Sequence, residues 1–406
     1  MNRTLYHFIA VLIFGYIGIF SAYAGVGAVL VPYRVGQLDP NGKLYDMAVL
    51  AALSGVFGVI SNPLAGRFSD QKASRGLSRA PLLWSGAIGA IAATATLSRS
   101  HSLAWIYLGQ LTLVVVVNVF QSVLTGLIPH QVPSNKRGLA SAAIGIATVA
   151  GTVVGTQLAA KYGTSSVSFV APGVLLALGA AIANPFVRRS VGLNSSAGDR
   201  AGRGSAATQM RRFFAAFGDS SFAWMFAGRA LMALSYNLIF VYLVFVVEDY
   251  VRVPGKLSPT AAVAQLTLIS ALFGAVATIA SGLLADRVRK FRGFVFVSGI
   301  CGAAALLTPV FFRSWTSALV FAGWEGASLG VFLAVDTALV TLILPSSSDA
   351  ARDFGLQNTA SAAPAVVAPF LASLIVLTAG YPALFIVAAM CALASALTII
   401  RVRVTV

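Results

Sequence analysis

Ser281–Gly293 reads SGLLADRVRKFRG, and Ala65–Gly76 reads AGRFSDQKASRG. Each is a short charged phrase between long apolar runs, and the two stand in one register. Gly66 to Gly282 is 216 residues, and Asp70 to Asp286 is again 216. The repeat extends outward. GVISNPLAGRFSD (58–70) aligns without a gap with GAVATIASGLLAD (274–286). VLTGLIPHQVPSNKRGLAS (123–141) aligns with LVTLILPSSSDAARDFGLQN (339–358) with one residue added in the second copy, and Pro129 to Pro345 is once more 216. The chain therefore consists of two similar halves.

Composition says where those halves sit. Charged residues make up 10% of the 406 and hydrophobic ones 58%, with a mean hydropathy of +0.86. A soluble domain carries about 25% charged residues. Apolar runs of about 20 residues, long enough to cross a bilayer, recur along the whole chain. The net charge of +16 would point to nucleic acid in a soluble domain. Here the cations fall between apolar runs, as membrane orientation requires, so nucleic acid is not an expected partner. Cys301 and Cys391 lie inside apolar segments without metal-ligand spacing and read as small buried hydrophobes. The first apolar run is too long for a signal-peptide core.

The runs predict twelve membrane helices, near 5–32, 46–66, 81–98, 102–129, 138–160, 165–187, 222–248, 258–284, 293–312, 315–344, 355–379 and 381–401. Segment 188–221 is polar, basic and rich in Gly, Ser and Ala. It separates an N-terminal six-helix bundle (1–187) from a C-terminal one (222–406). With the N-terminus placed in the cytoplasm, the inner segments hold 20 Lys and Arg and the outer segments 7. That asymmetry predicts a multi-pass protein of the cell membrane with both termini cytoplasmic. Parallel repeats of six helices predict two bundles related by an axis along the membrane normal, with a substrate path between them.

On these residues the chain resembles the major facilitator superfamily. The loop signature of that family is roughly G-x-L-A-D-R-x-G-R-K. The second copy matches it at Gly282, Leu284, Ala285, Asp286 and Arg287, lacks the second Gly, and brings Arg289 and Lys290 one position early. The first copy keeps Gly66 and Asp70, has Gln71 where Arg is usual, and displaces its cations to Lys72 and Arg75. Asn62, Pro63, Gly66, Ser69, Asp70, Ser74, Arg75, Arg79 and Pro81 also fit a loop of the sugar–cation symporter branches. The helix 4 Arg and helix 5 Gly-Pro pair of drug–proton antiporters are missing.

The resemblance implies an all-α membrane fold of two pseudo-symmetric six-helix bundles around a central cavity, lined by helices 1, 4, 7 and 10. It also implies a cytoplasmic gate made of Gly66, Asp70, Arg75, Gly282, Asp286, Arg287 and Arg289. An Asp at a helix C-terminus is poorly placed for its own macrodipole. Helix 2 lies beside helix 11 and helix 8 beside helix 5 in that fold, so Asp70 is expected near Gly355 and Leu356, and Asp286 near Gly138 and Leu139. The glycines are expected at close helix crossings. Pro364 and Pro369 are expected to bend helix 11.

Ionisable residues deep in a membrane helix cost about 2.5–3.5 kcal/mol on insertion scales. Three stand at such depth: Arg229 in helix 7, and Glu325 and Asp336 in helix 10. Glu325 and Asp336 are 11 residues apart, about 20° from eclipsed on a helix. Arg229 lies about 10 Å and Asp336 about 13 Å from the inner end of their helices, so the two could meet. Glu325 lies some 16 Å further along the stripe. All three are candidates for proton coupling, because a carboxyl group desolvated at that depth could carry a proton. Candidates for the substrate cavity are Tyr16 and Tyr23 in helix 1, Gln110, Asn118 and Gln121 in helix 4, Tyr236 and Asn237 in helix 7, and Trp324 in helix 10.

The expected function is alternating-access secondary transport of a small organic solute, driven by protons, by a monomer without cofactor or metal. An uncoupled facilitator or an efflux pump of the same fold is the alternative within the class, and a non-transporting membrane sensor the alternative outside it. There is no nucleotide-binding loop to supply ATP as the driver. His7, His101 and His130 sit near helix ends, no catalytic carboxylate pair stands in a loop, and no enzyme is expected.

Overall fold

The computed structural model describes residues 3–75, 77–133, 136–189, 217, 220–289, 291–343 and 350–402, though not the side chains of residues 3, 4, 70, 73, 74, 129, 130, 137, 188, 189, 286, 337, 338, 340–343, 350–359 and 362. Regular structure among them is helical, apart from one isolated bridge between Arg252 and Ser314. Helix α1 starts as Arg3–Ser21, widens into a π-helix over Ala22–Leu30 and finishes as Val31–Leu38. It is followed by α2 (Lys43–Ser74), α3 (Ala80–Ser98), α4 (Leu103–Gln131), α5 (Arg137–Tyr162) and α6 (Ser166–Arg189). Helix α7 covers Ser220–Phe240 and bends by 48° into Leu243–Tyr250. Then come α8 (Pro259–Val288), α9 (Phe291–Phe311) and α10 (Trp315–Ile343).

The last helical run, Ala350–Ile400, is 51 residues long. At 1.5 Å per residue it exceeds twice the roughly 30 Å hydrocarbon core and has to be two spans. The division is at Gly380, whose φ of 79° and ψ of 176° are non-helical. Only glycine readily adopts that conformation. The two parts are α11 and α12. Backbone dihedrals stay helical through Pro364 and Pro369, so the break falls at Gly380 rather than at the prolines. Ten helices among the described residues are long and apolar enough to cross a membrane, or eleven with the bent α7 taken as one span. Counting α11 and α12 separately makes twelve.

Contacts divide the chain into two compact units, Met1–Gly202 with Ser258–Ala264, and Arg203–Leu257 with Gln265–Val406. In the first, α1 packs against α5 and α6, and α4 against α2 and α3. Small residues set the α1–α5 crossing. A Cβ added to Gly25 would lie 2.7 Å from the Gly155 carbonyl carbon, so any larger residue would push the helices apart. Arg79 is fully buried at the start of α3 and donates to the Gly126 carbonyl at 3.1 Å. One of the cations counted for orientation is therefore a buried staple between α3 and α4.

In the second unit, α7 packs against α11 and α12, and α9 against α10 and the α11–α12 run. Ser235 and Ser395 bond across the α7–α12 contact, to the Ala388 carbonyl at 2.8 Å and the Gly228 carbonyl at 2.7 Å. At the start of α9, Arg292 donates to the Ile399 and Ile400 carbonyls at the end of α12. Those carbonyls stand in the last turn, where no i+4 N–H remains to pair them (Ile399 also accepts from the Val402 N–H at 3.2 Å), and a cation there suits the helix dipole. The α8–α10 crossing is closer still. A Cβ on Gly326 would lie 2.6 Å from Ser270 Cα, and one on Gly330 would lie 3.0 Å from the Gly274 carbonyl carbon. Thr278 donates to the Gly330 carbonyl at 3.1 Å. This crossing fixes the height of the carboxyl group that precedes Gly326 in the chain.

A buried carboxyl pocket and an ion pair in the second unit

Glu325 stands one residue before the Gly326 crossing, on the side of α10 that faces α7, α8 and α9. It is 6% exposed. Its Oε2 atom makes no hydrogen bond to the described residues. Helix α9 leaves room for the carboxyl group because residue 302 is glycine; a Cβ there would lie 3.4 Å from Oε2. Glu325 lines a small pocket with Tyr236, Ile239, Phe240 and Leu243 of α7, Leu266, Thr267 and Ser270 of α8, Leu306 of α9, and Phe321 and Ala322 of α10. About 50 Å³ of it is open to the centres of water-sized molecules, enough for more than one water. Tyr236 and Phe240 stack along one wall, centroids 5.2 Å apart. Thr267 Oγ1, like Glu325 Oε2, is buried without a described hydrogen-bond partner. Among the lining residues Glu325 is the only one that carries a formal charge at neutral pH.

Arg229 and Asp336 meet. Arg229 Nη1 lies 3.1 Å from Asp336 Oδ2, an ion-pair distance without the alignment of a hydrogen bond. Arg229 Nε donates to Ser361 Oγ on α11 at 2.9 Å. The guanidinium thus bridges α10 and α11 from α7. Ser361 was not legible as part of this site, because nothing in the sequence says which serine α11 turns toward α7. Asn237, two turns further along α7, donates to its own Ala233 carbonyl at 2.7 Å, a local bond that leaves it facing the helix rather than the pocket. Trp324 is 57% exposed and does not line the pocket. Neighbours on a helix differ by about 100°, so Trp324 and Glu325 point different ways.

The N-terminal candidates form a separate set in the first unit. Tyr16 is buried, and its ring stacks on Phe20, which in turn meets Tyr23 edge-on. Asn118 donates to the Val114 carbonyl at 2.8 Å and accepts from Asn62 at 3.3 Å. Gln110 is buried with Oε1 unpartnered among the described residues, and its Nε2 would lie 3.4 Å from a Cβ on Gly27.

The gate is described only in part. The side chains of Asp70 and Asp286, and those around Gly355 and Leu356, lie outside the described residues. Arg75, Arg287 and Arg289 are exposed, and Arg289 has a φ of 52° just past the end of α8. A Cβ on Gly66, Gly282 or Gly138 would meet no described atom within 4 Å.

The Major Facilitator Superfamily model matches residues 12–328, more than three quarters of the chain. The chain belongs to the Major Facilitator Superfamily. Solved structures of transporters share its fold. A peptide transporter POT in complex with sulfate superposes with a TM-score of 0.71 at 13% identity, covering 97% of this chain and 93% of that one. A POT family transporter in complex with 5-aminolevulinic acid gives 0.71 at 12%, covering 97% and 95%. A bacterial homolog of the human lysosomal transporter Spinster, inward-facing and unoccupied, gives 0.69 at 14%, covering 99% and 95%. At these identities the likeness is one of fold. No curated protein matches the chain. Family and fold make this superfamily member a multi-pass membrane protein for solute transport and point to a transporter rather than an enzyme.

Proposed function

We propose that this superfamily member is a proton-coupled secondary transporter of a small organic solute. It works as a monomer in the cell membrane, with both termini cytoplasmic, by alternating access. The observation that supports the coupling most is Glu325, a buried carboxyl group that lines a pocket and has no cationic partner among the described residues. A lone carboxylate at that depth is costly. A bound proton removes the cost, and so does a bound cation. Either exchange makes the occupancy of Glu325 depend on the solute, which is what coupling requires.

The Arg229–Asp336 pair has the second role. Its charges balance each other while Arg229 also holds Ser361, so Arg229 has a partner to keep if Asp336 takes up a proton. Tyr16, Tyr23, Gln110, Asn118, Gln121, Tyr236 and Asn237 remain candidates for solute contact, as does Trp324 from the far side of α10. Asp70 and Asp286, with Arg75, Arg287 and Arg289, remain the candidate cytoplasmic gate.

The test is solute-driven pH change in proteoliposomes, screened across sugars, amines, peptides and metabolites. Glu325→Gln is expected to abolish proton-coupled flux while leaving solute exchange at saturating solute. Full coupling in that variant removes Glu325 from the proton path. Solute flux that moves no protons at any imposed gradient makes the protein an uncoupled facilitator.

A further inference from the structure

We propose that the pocket beside Glu325 receives the ammonium end of a small apolar amine, which displaces the proton from that carboxyl group. The proposal rests on the transport reading above and names its substrate class. Charge carries it first. Glu325 is the one charged residue lining the pocket, and Oε2 is buried without a described partner. A carboxylate or phosphate solute would set a second negative charge beside it. The candidate cation to offset that charge, Arg229, is already held by Asp336 and Ser361.

The donors and walls point the same way. An ammonium group has three N–H donors and needs three acceptors. Glu325 Oε2 supplies one, and Thr267 Oγ1, also unpartnered, supplies the second. Ser270, three residues on from Thr267 along α8 and also lining the pocket, offers its hydroxyl as the third. The stacked rings of Tyr236 and Phe240, together with Phe321 of α10, line the apolar part of the pocket, and aromatic faces attract cations. The limited volume admits a short chain or a single ring.

Proton and amine then alternate by simple balance. When R–NH3⁺ pairs with Glu325, the carboxyl proton leaves to water; when the amine departs, a proton returns. One monovalent cation exchanges for one proton, and no net charge moves through the pocket. The other titratable group facing Glu325 in the pocket is Tyr236 of α7. Helix α8 presents hydroxyls, and α9 presents Gly302 and Leu306.

Equilibrium binding of radiolabelled phenethylamine and n-butylamine to the purified full-length protein in detergent tests this, with phenethyl alcohol and hydrocinnamate as competitors. At least one amine is expected to bind, with alcohol and acid about tenfold weaker or worse, and amine binding is expected to fade as pH falls. Glu325→Gln is expected to lose about tenfold or more, with Glu325→Asp retaining part. If Glu325→Gln does not fold, Thr267→Val serves, with an expected loss of several-fold. The proposal is overturned if neither amine binds, if the alcohol or acid binds as well as the amine, or if the folded variants keep full affinity. Binding is read without flux. Amine binding without proton movement in proteoliposomes would sink the transport reading and keep the site. Proton-coupled flux of an acid or neutral solute without amine binding would do the reverse.

Discussion

Replacing Asp336 by Asn keeps the shape of the side chain and removes its charge. Arg229 cannot shed its proton in response, so the variant leaves a largely buried guanidinium with Ser361 as its remaining described partner. Breaking a buried pair from one side costs about 3–5 kcal/mol, whereas replacing both partners by apolar residues is often near neutral. At about 1.4 kcal/mol per decade, the single variant should raise the unfolded-to-folded ratio by roughly a hundred- to several-thousand-fold. The double variant Arg229→Met/Asp336→Leu should return to within about 1 kcal/mol of the parent. Unfolding in mixed detergent micelles, run as a double-mutant cycle, reads this directly. Single effects that add to the double within about 0.5 kcal/mol would refute an energetically coupled pair. Transport assays on the same four proteins separate the roles. A folded double variant that still moves solute with protons makes the pair structural; one that folds but has lost coupling keeps it in the mechanism.

Gly380→Ala should destabilise the second unit by about 1–3 kcal/mol, because alanine does not tolerate a φ of 79° with a ψ of 176°; an unchanged unfolding midpoint would contradict the break at this residue. Gly326→Leu should force α10 from Ser270 and abolish both stability and the pocket, whereas Gly282→Ala, with open space around its Cβ, should unfold like the parent. Arg79→Met should weaken the α3–α4 contact by about 1.5–3 kcal/mol through loss of the charge-assisted hydrogen bond to the Gly126 carbonyl, an effect no exposed loop cation would produce. Tyr381→Phe removes the 2.7 Å bond to Asp249 and should loosen the bent end of α7, seen as faster amide exchange over 243–250; no change there would mean the bend is held by other contacts.

Much of the fold is legible because membrane helices announce themselves by length, and a 216-residue repeat fixes how many sets there are. The split between the last two helices is legible at Gly380, since no single span is that long. Arg229 and Asp336 could be matched because depth along a straight helix follows from residue count alone. The pocket is less legible. Thr267 and Ser270 look like any small polar residues in an apolar run, and they matter only because Gly326 and Gly330 draw α8 against α10. That signal was present as two glycines four apart beside Glu325. Trp324, about 100° around α10 from Glu325, lies outside this pocket and remains a candidate for the cavity on another face of the helix. The first helix runs to Leu38, six residues beyond the expected end, because Tyr33, Arg34 and Gln37 look like loop residues. Arg34 instead finds Gln37 within its own helix and the Ser100 carbonyl beyond α3.

The most direct test of proton coupling through Glu325 is the pH inside proteoliposomes after an outward solute gradient is imposed, recorded for the parent and for Glu325→Gln at matched protein density. The account predicts a solute-dependent pH change in the parent and none in the variant, while the variant still exchanges labelled for unlabelled solute. A pH change of equal size in both would contradict it.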